Sequence, residues 1–467
     1  MINRALLALS ALSVLVLGMS SRPAAVEPAR TATFARDIAP ILQRSCQSCH
    51  RPGSVAPMSL ITYEDVRPWA RSIKQRTGLR NRMGVMPPWF IEKHIGIQAY
   101  KDDISLSDQE IATIAAWADA GAPQGNPADA PRPLVFTAAS AWDMGQPDLI
   151  LDSPLYTMKA GMPDWWGSFP PSPTGLKEDR YVAAVEFKET SDVKDGVGGK
   201  FIFHHAVHAI RQGDGGFGSI GGPHEVGRNA ERFEPDAGRL LTAGSSFLWN
   251  SMHMHANPTR DITARLSVGY RFHPKGYKPA RRTGNVTLGN AEIDLLPLTA
   301  GQVIHAYATL QEHTLLSTFE PHMHAAGVRM CLDAIFGGRT DTLTCAGYDH
   351  NWVKVYKYTD DAAPLLPKGT ILHMTAYFDN TAANRNVVDP RNWGGLGHRS
   401  IDNMALMIMP IVVLDDSEFK EAMAKRRTTL RLTPGQMVLG CPLCGYDELP
   451  AFGPSRPRTQ ARTEAAQ

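Results

Sequence analysis

The chain has 467 residues and is almost neutral, because its 48 lysines and arginines and its 46 aspartates and glutamates give a formal net charge of +2. Such a balance, without a basic block, excludes recognition of nucleic acid through a polycationic surface. At roughly 150 residues per domain, about three domains are expected. The six cysteines of an exported protein would serve as haem attachment points, disulfides or metal ligands.

The first 29 residues have the pattern of a secretory signal peptide. Arg4 precedes an apolar run, and small residues follow up to Ala29, which is the usual order of charged, hydrophobic and cleavage regions. The apolar run is shorter than the roughly 20 residues that span a bilayer. The sequence predicts a periplasmic or secreted mature protein without stable membrane insertion, and an uncleaved anchor is the alternative.

Residues 32–122 are predicted to form a small all-α cytochrome c-like haem domain. The motif Cys46-Gln-Ser-Cys49-His50 is the attachment signal for haem c, in which two thioethers fix the macrocycle and the histidine ligates iron. The alternative is a disulfide or zinc pair that happens to precede histidine. The stretch from Cys46 to Ala122 resembles cytochrome c domains that are fused to other exported bacterial redox domains.

Two further features complete this segment. Met86 in Gly84-Val-Met86-Pro-Pro-Trp89 is the preferred second axial ligand, because a thioether raises the haem potential relative to histidine. Ser107-Asp-Gln-Glu110 is a capping box that begins a helix, and Gly121 ends it. Residues 123–133 are rich in proline, alanine and glycine and predict a linker. The competing candidates for the axial position are Met58, Met83 and His94.

Residues 134–280 and 281–440 are predicted to form two antiparallel, jelly-roll-like β-sandwiches. Short alternating or apolar runs follow one another and are separated by Gly, Pro, Asn and Asp, which is typical of all-β domains. The predicted fold class is therefore a small all-α cytochrome c domain followed by two all-β sandwiches that share a cleft.

Three histidine motifs lie in the β region: His204-His205, His253-Met-His255 and His322-Met-His324. Residues i and i+2 of a strand share a face and lie about 6.6 Å apart, so the last two motifs can each grip one metal ion. Adjacent histidines point to opposite faces of a regular strand, and joint ligation by the first pair needs a bulge, a strand end or the use of the nearer ring nitrogen of one residue.

The ligand types favour copper. Imidazole together with the thioether of Met404 suits copper better than magnesium or calcium, while zinc stays open from the histidines alone. A blue-copper site is excluded because the histidine motifs contain no cysteine. Isolated histidines of a β-domain are expected to be structural, and this applies to His94, His224, His273, His305, His313, His350, His373 and His398.

The order His-His, His, His-x-His, Met is the ligand order of the type II, ascorbate-dependent copper monooxygenases, the family of peptidylglycine α-hydroxylating and dopamine β-monooxygenase, which this region resembles. The resemblance implies two copper ions, the first of which stores an electron while the second binds oxygen and inserts one oxygen atom into a substrate C–H bond. His255 stays open beside His253, since the chain has Ser251-Met-His253 where the family has Gln-x-His. The implied ligands are His204, His205 and His253 for the first copper and His322, His324 and Met404 for the second.

The predicted function is thus an exported copper monooxygenase with haem c and two copper ions as cofactors. Its partners would be a small-molecule substrate, O2 and an external electron donor, and the fused haem offers a built-in path for electrons. The substrate-recognising residues of the animal enzymes are not evident in this chain. The alternative is a non-catalytic periplasmic haem and copper protein that transfers electrons or handles copper.

The remaining cysteines predict disulfides. Cys331 and Cys345 lie symmetrically about Gly337-Gly338, so a hairpin turning there would place them opposite each other. Cys441-Pro-Leu-Cys444 lacks a following histidine and is either a local disulfide or a metal or redox pair. Residues 441–467 are predicted to be a partly disordered tail.

Overall fold

The computed structural model describes residues 30–136, 141–193, 202–225, 230–399 and 401–446. The predicted signal peptide and the last part of the predicted tail, 447–467, lie outside the described residues. No helix in the described ranges is long and apolar enough to cross a membrane. A π-helical turn, Phe34–Ile38, precedes the first α-helix. The α-helices are α1 (Ala39–Ser45), α2 (Tyr63–Val66), α3 (Ala70–Thr77), α4 (Asp108–Asp119) and α5 (Asp416–Leu430).

Strands predominate over helices in the described chain, and all of the strand pairs described are antiparallel. The strands are β1 (Ile91–Gly96), β2 (Leu149–Asp152), β3 (Tyr156–Met158), β4 (Trp165–Pro173), β5 (Arg180–Ser191), β6 (Phe203–Arg211), β7 (Phe217–Gly218), β8 (His224–Glu225), β9 (Glu231–Arg232), β10 (Arg239–Leu241), β11 (Ser246–Met254), β12 (Ile262–Phe272), β13 (Arg282–Gly289), β14 (Asp294–Leu295), β15 (Thr299–Thr309), β16 (His313–Leu316), β17 (Thr318–Phe319), β18 (His322–Met323), β19 (Gly327–Phe336), β20 (Arg339–Gly347), β21 (Tyr356–Lys357), β22 (Leu365–Leu366), β23 (Ile371–Asn380), β24 (Gly394–Gly395) and β25 (Ala405–Leu414).

The first hydrophobic core lies between two sheets, one with the order β10-β5-β12-β2 and one with the order β4-β11-β6-β7. Side chains of a strand alternate between its two faces, so every second residue of β12 enters this core. These fully buried residues of β12 are Ile262, Ala264, Leu266, Val268 and Tyr270. The facing sheet contributes Phe203, Trp249 and Met252.

The second core lies between the sheet β1-β20-β19-β23-β15 and the sheet β13-β25-β16-β22. Strand β23 supplies Leu372, Met374, Ala376 and Phe378 at alternate positions, and β25 supplies Met407 and Met409. The helix α5 packs at the end of this sandwich around the buried Phe419.

The helical segment near the start of the described chain begins as predicted. The Ser107 hydroxyl accepts a hydrogen bond from the Glu110 backbone N–H, and the Glu110 carboxylate accepts one from the Ser107 N–H, so the capping box begins α4. Phe34, Leu42, Ile114 and Trp117 form the small core of the surrounding helices.

The predicted fold class is nevertheless wrong, because a separate all-α domain is not what this segment forms. Strand β1 adds to the edge of the second sandwich, with Ile91 opposite Ala346 and Gly96 opposite Thr344. Trp89 and Phe90 are buried in the core of that sandwich. The edge of β20 offers unpaired backbone groups to a strand, and β1 pairs with them.

Both disulfides of the described chain have the predicted pairing. Cys331 and Cys345 lie opposite each other in the hairpin of β19 and β20, with a Cα–Cα distance of 4.1 Å. Gly337 and Gly338 form the turn with positive φ angles of 60° and 78°, which favour glycine. Cys441 and Cys444 also form the local disulfide.

We expect the double substitution Cys331→Ser/Cys345→Ser to lower the free energy of unfolding by about 3 kcal/mol, because a cross-link closing a loop of about 15 residues restricts the unfolded chain by that amount. Urea unfolding at fixed pH measures the loss. The matched control is Cys441→Ser/Cys444→Ser, which opens a loop with a sequence separation of only 3. Equal stabilities of the two variants would contradict this account.

Candidate metal centre

The pairing of β6 with β11 brings the first histidine motifs together. His205 lies opposite His253, while the next paired residues are Phe203 and Met254. His204 is therefore an extra residue in β6, which is the bulge that joint use of adjacent histidines requires. The rings of His204 and His205 both lie 5.0 Å from the ring of His253, measured between centroids.

Three imidazoles converge closely enough to share one metal ion. His204, His253 and His255 each offer a ring nitrogen, and these atoms lie within 4.8 Å of one another. His255, the alternative left open by the sequence, thus belongs to the trio together with His253, and His205 lies beside it. The assignment of the ligands stays a prediction.

A carboxylate that the sequence did not single out contacts two histidines of this trio. The Asp164 Oδ2 atom lies 3.1 Å from His253 Nε2 and 3.4 Å from His255 Nε2. The Trp166 ring stacks on His253 at a centroid distance of 4.2 Å. Asp164 directly precedes β4, and Trp166 is the second residue of that strand. Because β4 pairs with β11, the strand pairing brings both residues to the histidines, and the sequence alone did not indicate them.

The second group is built from β18 and the start of β25. His322 pairs with Leu406 and Met323 with Ala405, and His324 and Met404 are the residues that flank this pairing on the two segments. The rings of His322 and His324 lie 5.4 Å apart. The structure therefore places the predicted histidine motif and methionine on neighbouring chain segments.

Glu225 connects the two groups. Its Oε1 atom lies 2.7 Å from His322 Nδ1, and the side chain is only 3% exposed. In the pairing of β6 with β8, the same residue lies opposite His205. When one ring nitrogen of a histidine binds a metal ion, a carboxylate at the other nitrogen orients the ring and raises its basicity as a ligand.

His350, which the sequence suggests is structural, lies between the two groups. Its ring centroid is 5.1 Å from that of His204 and 5.9 Å from that of His324. His350 lies in a loop and belongs to no spaced histidine motif, so the sequence did not indicate it as a candidate metal ligand. We call the following residues the histidine cluster: His204, His205, His253, His255, His322, His324 and His350.

Several ring nitrogens of the cluster are buried without a hydrogen-bond partner among the described residues. They are both nitrogens of His204, Nδ1 of His324 and Nδ1 of His350. Leaving a buried polar atom without a partner costs about 1–3 kcal/mol. A metal ion satisfies such nitrogens, so the donor set fits imidazole-ligated metal.

Burial lowers the pKa of most histidines of the cluster. Burial, together with the neighbouring histidines, lowers the pKa of His324 to about 2. Burial likewise lowers the pKa of His253 and of His350 to about 4 each, and that of His204 still further. A neutral imidazole has the free electron pair that a metal ligand needs.

We expect the metal-free protein to lose stability as the pH falls below about 6.5. The folded state keeps the cluster neutral, whereas the unfolded chain takes up protons near the ordinary histidine pKa, so stability present above that pH is lost below it. Each such histidine contributes a slope of up to about 1.4 kcal/mol per pH unit. Urea unfolding at several pH values measures this, and a flat profile would contradict it.

The predicted haem-attachment residues have contacts that fit a covalent haem. Cys46 and Cys49 are free thiols, while the remaining cysteines form disulfides. His50 Nδ1 lies 3.2 Å from the Met58 carbonyl oxygen, and donating a proton there leaves Nε2 available as a ligand. Burial raises the pKa of Cys46 to about 12.

The second axial ligand stays a prediction. Met86 is 40% exposed and lines a cavity with Trp89 and Tyr100, next to the core of the second sandwich. Met58 contacts His50 only through its carbonyl oxygen among the described contacts. His94 is exposed on β1.

The loop between β20 and β21, which carries His350, contacts Gly84 and Trp89 of the predicted haem domain. Asp349, next to His350, accepts a hydrogen bond of 2.9 Å from the Gly84 backbone N–H. The ammonium group of Lys354, in the same loop, lies 5.9 Å above the Trp89 ring. Burial lowers the pKa of Lys354, and the nearby Cys49 opposes this shift.

The comparisons with known proteins add no family. No family model matches the chain, and no curated protein matches it. The chain is similar to a solved structure of Cowpea mosaic virus top component, naturally occurring empty particles, at 10% identity, 59% coverage of this chain, 92% of that chain and a TM-score of 0.25. It is also similar to the major capsid protein P2 of bacteriophage PM2, at 9% identity, 56% coverage of this chain, 99% of that chain and a TM-score of 0.26. The VP2 subviral particle of infectious bursal disease virus has 9% identity, 59% and 74% coverage and a TM-score of 0.17. Similarities at these scores carry no argument about function.

Proposed function

We propose that this protein is a copper-dependent monooxygenase that hydroxylates a C–H bond of a small molecule with O2. The observation that carries the proposal is the buried histidine cluster, with its unpartnered ring nitrogens, in a chain that also has a haem-attachment motif. Copper held by these groups would supply one-electron chemistry and the activation of O2, and a haem on Cys46 and Cys49 would supply electrons.

The protein's own residues prepare this site. Asp164 orients His253 and His255 through their Nε2 atoms, and Glu225 orients His322 through Nδ1. Because one nitrogen of each of these three rings contacts a carboxylate, the imidazoles keep a fixed orientation without a metal ion. Met404, which directly precedes β25, would complete the second group with a soft ligand that leaves a coordination position open.

Electron delivery to this site would follow the loop that carries His350. This loop contacts Gly84 through Asp349 and lies above Trp89 through Lys354. His350 in turn lies 5.1 Å from His204 and 5.9 Å from His324, between ring centroids. The loop therefore links the segment around Gly84 and Trp89 to His204 and His324, and we expect electrons from a haem on Cys46 and Cys49 to take this route.

A second candidate is electron transfer or copper handling without catalysis. The observation that favours it is burial, since His253 is 0% exposed and His324 is 3% exposed. Such burial protects a redox ion but restricts the approach of a substrate.

The test is metal content together with O2 uptake driven by ascorbate, on full-length protein and on Met404→Ala. We expect one haem per chain and two copper ions in the histidine cluster, and O2 uptake that falls at least about tenfold in Met404→Ala because a ligand of the second group is lost. The matched control is Met437→Ala, which truncates an exposed methionine.

The outcomes separate the candidates. Protein without copper after reconstitution would overturn both. Copper and haem that are reduced by ascorbate but do not consume O2, in the wild type as in Met404→Ala, would favour the second candidate.

A further inference from the structure

A second group of metal-ligating side chains lies on the open face of the sheet β1-β20-β19-β23-β15. Strand register places Tyr307 opposite His373, His373 opposite Asp333, and Asp333 opposite Thr342. In the neighbouring row, His305 lies opposite Thr375. Paired residues of adjacent strands point to the same face.

Two imidazole nitrogens of this group face each other. His305 Nδ1 lies 2.9 Å from His373 Nε2. The Thr375 hydroxyl oxygen lies 3.5 Å from the first of these atoms and 3.3 Å from the second. Two bonds of about 2.0–2.1 Å to one metal ion, at angles between a right angle and the tetrahedral angle, place nitrogens about 2.9–3.4 Å apart. The observed spacing therefore already suits one shared ion.

The orientation of the His373 ring is fixed by its contacts with Asp333 and Tyr307. Its Nδ1 atom lies 3.1 Å from Asp333 Oδ2, and the other carboxylate oxygen accepts a hydrogen bond of 2.7 Å from the Thr342 hydroxyl. Tyr307 stacks on the ring at a centroid distance of 4.4 Å. With its Nδ1 proton donated to Asp333, His373 presents the free electron pair of Nε2 to the ion, which is the carboxylate–histidine–metal arrangement.

The group is accessible through His305 and lies apart from the histidine cluster. His305 is exposed and Tyr307 is 62% exposed, whereas the side chains of His373 and Asp333 are 16% and 15% exposed. Gly327, close to His324 in sequence, pairs with Phe378. Asp333 lies six residues further along β19, about 20 Å at 3.3 Å per residue.

We propose that His305 and His373 form a solvent-accessible site for a divalent transition metal ion, with Asp333 as the residue that positions His373. Paired imidazoles suit Cu2+ and Zn2+, and at equal availability Cu2+ binds more tightly. Water completes the coordination on the open side. This site does not depend on the function proposed for the histidine cluster.

The test is equilibrium dialysis of the metal-free full chain against Cu2+, with the bound ions counted for each variant. We expect His305→Ala and His373→Ala each to bind one ion per chain fewer than the wild type. The matched control is His94→Ala, which removes another exposed imidazole and should leave the count unchanged. Asp333→Asn should keep the count at saturation but weaken the affinity of that ion about 10–100-fold.

Equal counts in the wild type, His305→Ala and His373→Ala would overturn the proposal. An equal loss in His94→Ala would also overturn it, since it would indicate adventitious binding to exposed histidines. Unchanged affinity in Asp333→Asn would refute the positioning role of Asp333. Because the ligand substitutions lie on an open sheet face, circular dichroism of each variant should match that of the wild type, which excludes misfolding as the cause of a lost ion.

Discussion

Replacing Cys46 and Cys49 with alanine is expected to abolish covalent haem and to lower O2 uptake with ascorbate to the level of a haem-free protein. Both thiols are free in the structure, and each would provide one of the two thioether bonds that hold the macrocycle. The measurement is haem staining after denaturing electrophoresis, followed by the optical spectrum of the purified protein. The effect is all or none for covalent attachment, so a quantitative assay is not required.

The control for this experiment is Cys441→Ala/Cys444→Ala, which removes the other Cys-x-x-Cys pair. That pair forms a disulfide and is followed by Gly445 rather than histidine, so its removal should leave the haem in place. Haem that persists in Cys46→Ala/Cys49→Ala would show that the motif does not bind it covalently.

His204→Ala is expected to remove the copper of the first group and to weaken its affinity at least about 100-fold. His204 is the bulged residue of β6, both of its ring nitrogens lack a partner among the described residues, and its ring contacts those of His253, His255 and His350. Copper analysis and paramagnetic resonance spectra after dialysis measure the loss. The spectrum should retain the signal of the second group.

The matched control is His273→Ala, because His273 stacks on Tyr277 at 3.8 Å and is also a histidine of the first sandwich region. This variant should retain both copper ions. If His204→Ala keeps its full copper content, the trio of His204, His253 and His255 is not a metal site, and the function proposed for the protein loses its main support.

The features that the sequence predicts well are those set by a few neighbouring residues. The capping box of Ser107 and Glu110 and the hairpin disulfide of Cys331 and Cys345 are both present. Each depends on spacing within one helix turn or one hairpin, where chain geometry leaves few alternatives. The requirement for a bulge at the adjacent histidines follows in the same way from strand geometry.

The parts that required the tertiary structure depend on contacts between segments far apart in the chain. Strand β1 joins the second sandwich because β20 offers it an open edge and a large core, whereas a local pattern of helices indicates only a helical domain. Asp164, Glu225 and His350 carry no periodic signal. They enter the histidine cluster through the pairing of β4 with β11, the pairing of β6 with β8, and the loop after β20.

The residue types alone thus indicated which chemistry the chain can support, because imidazole, thioether and the Cys-x-x-Cys-His motif have characteristic ligand properties. The tertiary structure decided how those groups are arranged: it set His350 between His204 and His324 and gave His253 and His322 their carboxylate partners. Long-range strand pairing is determined by the fit of whole sheets and cores, which no local stretch of sequence encodes.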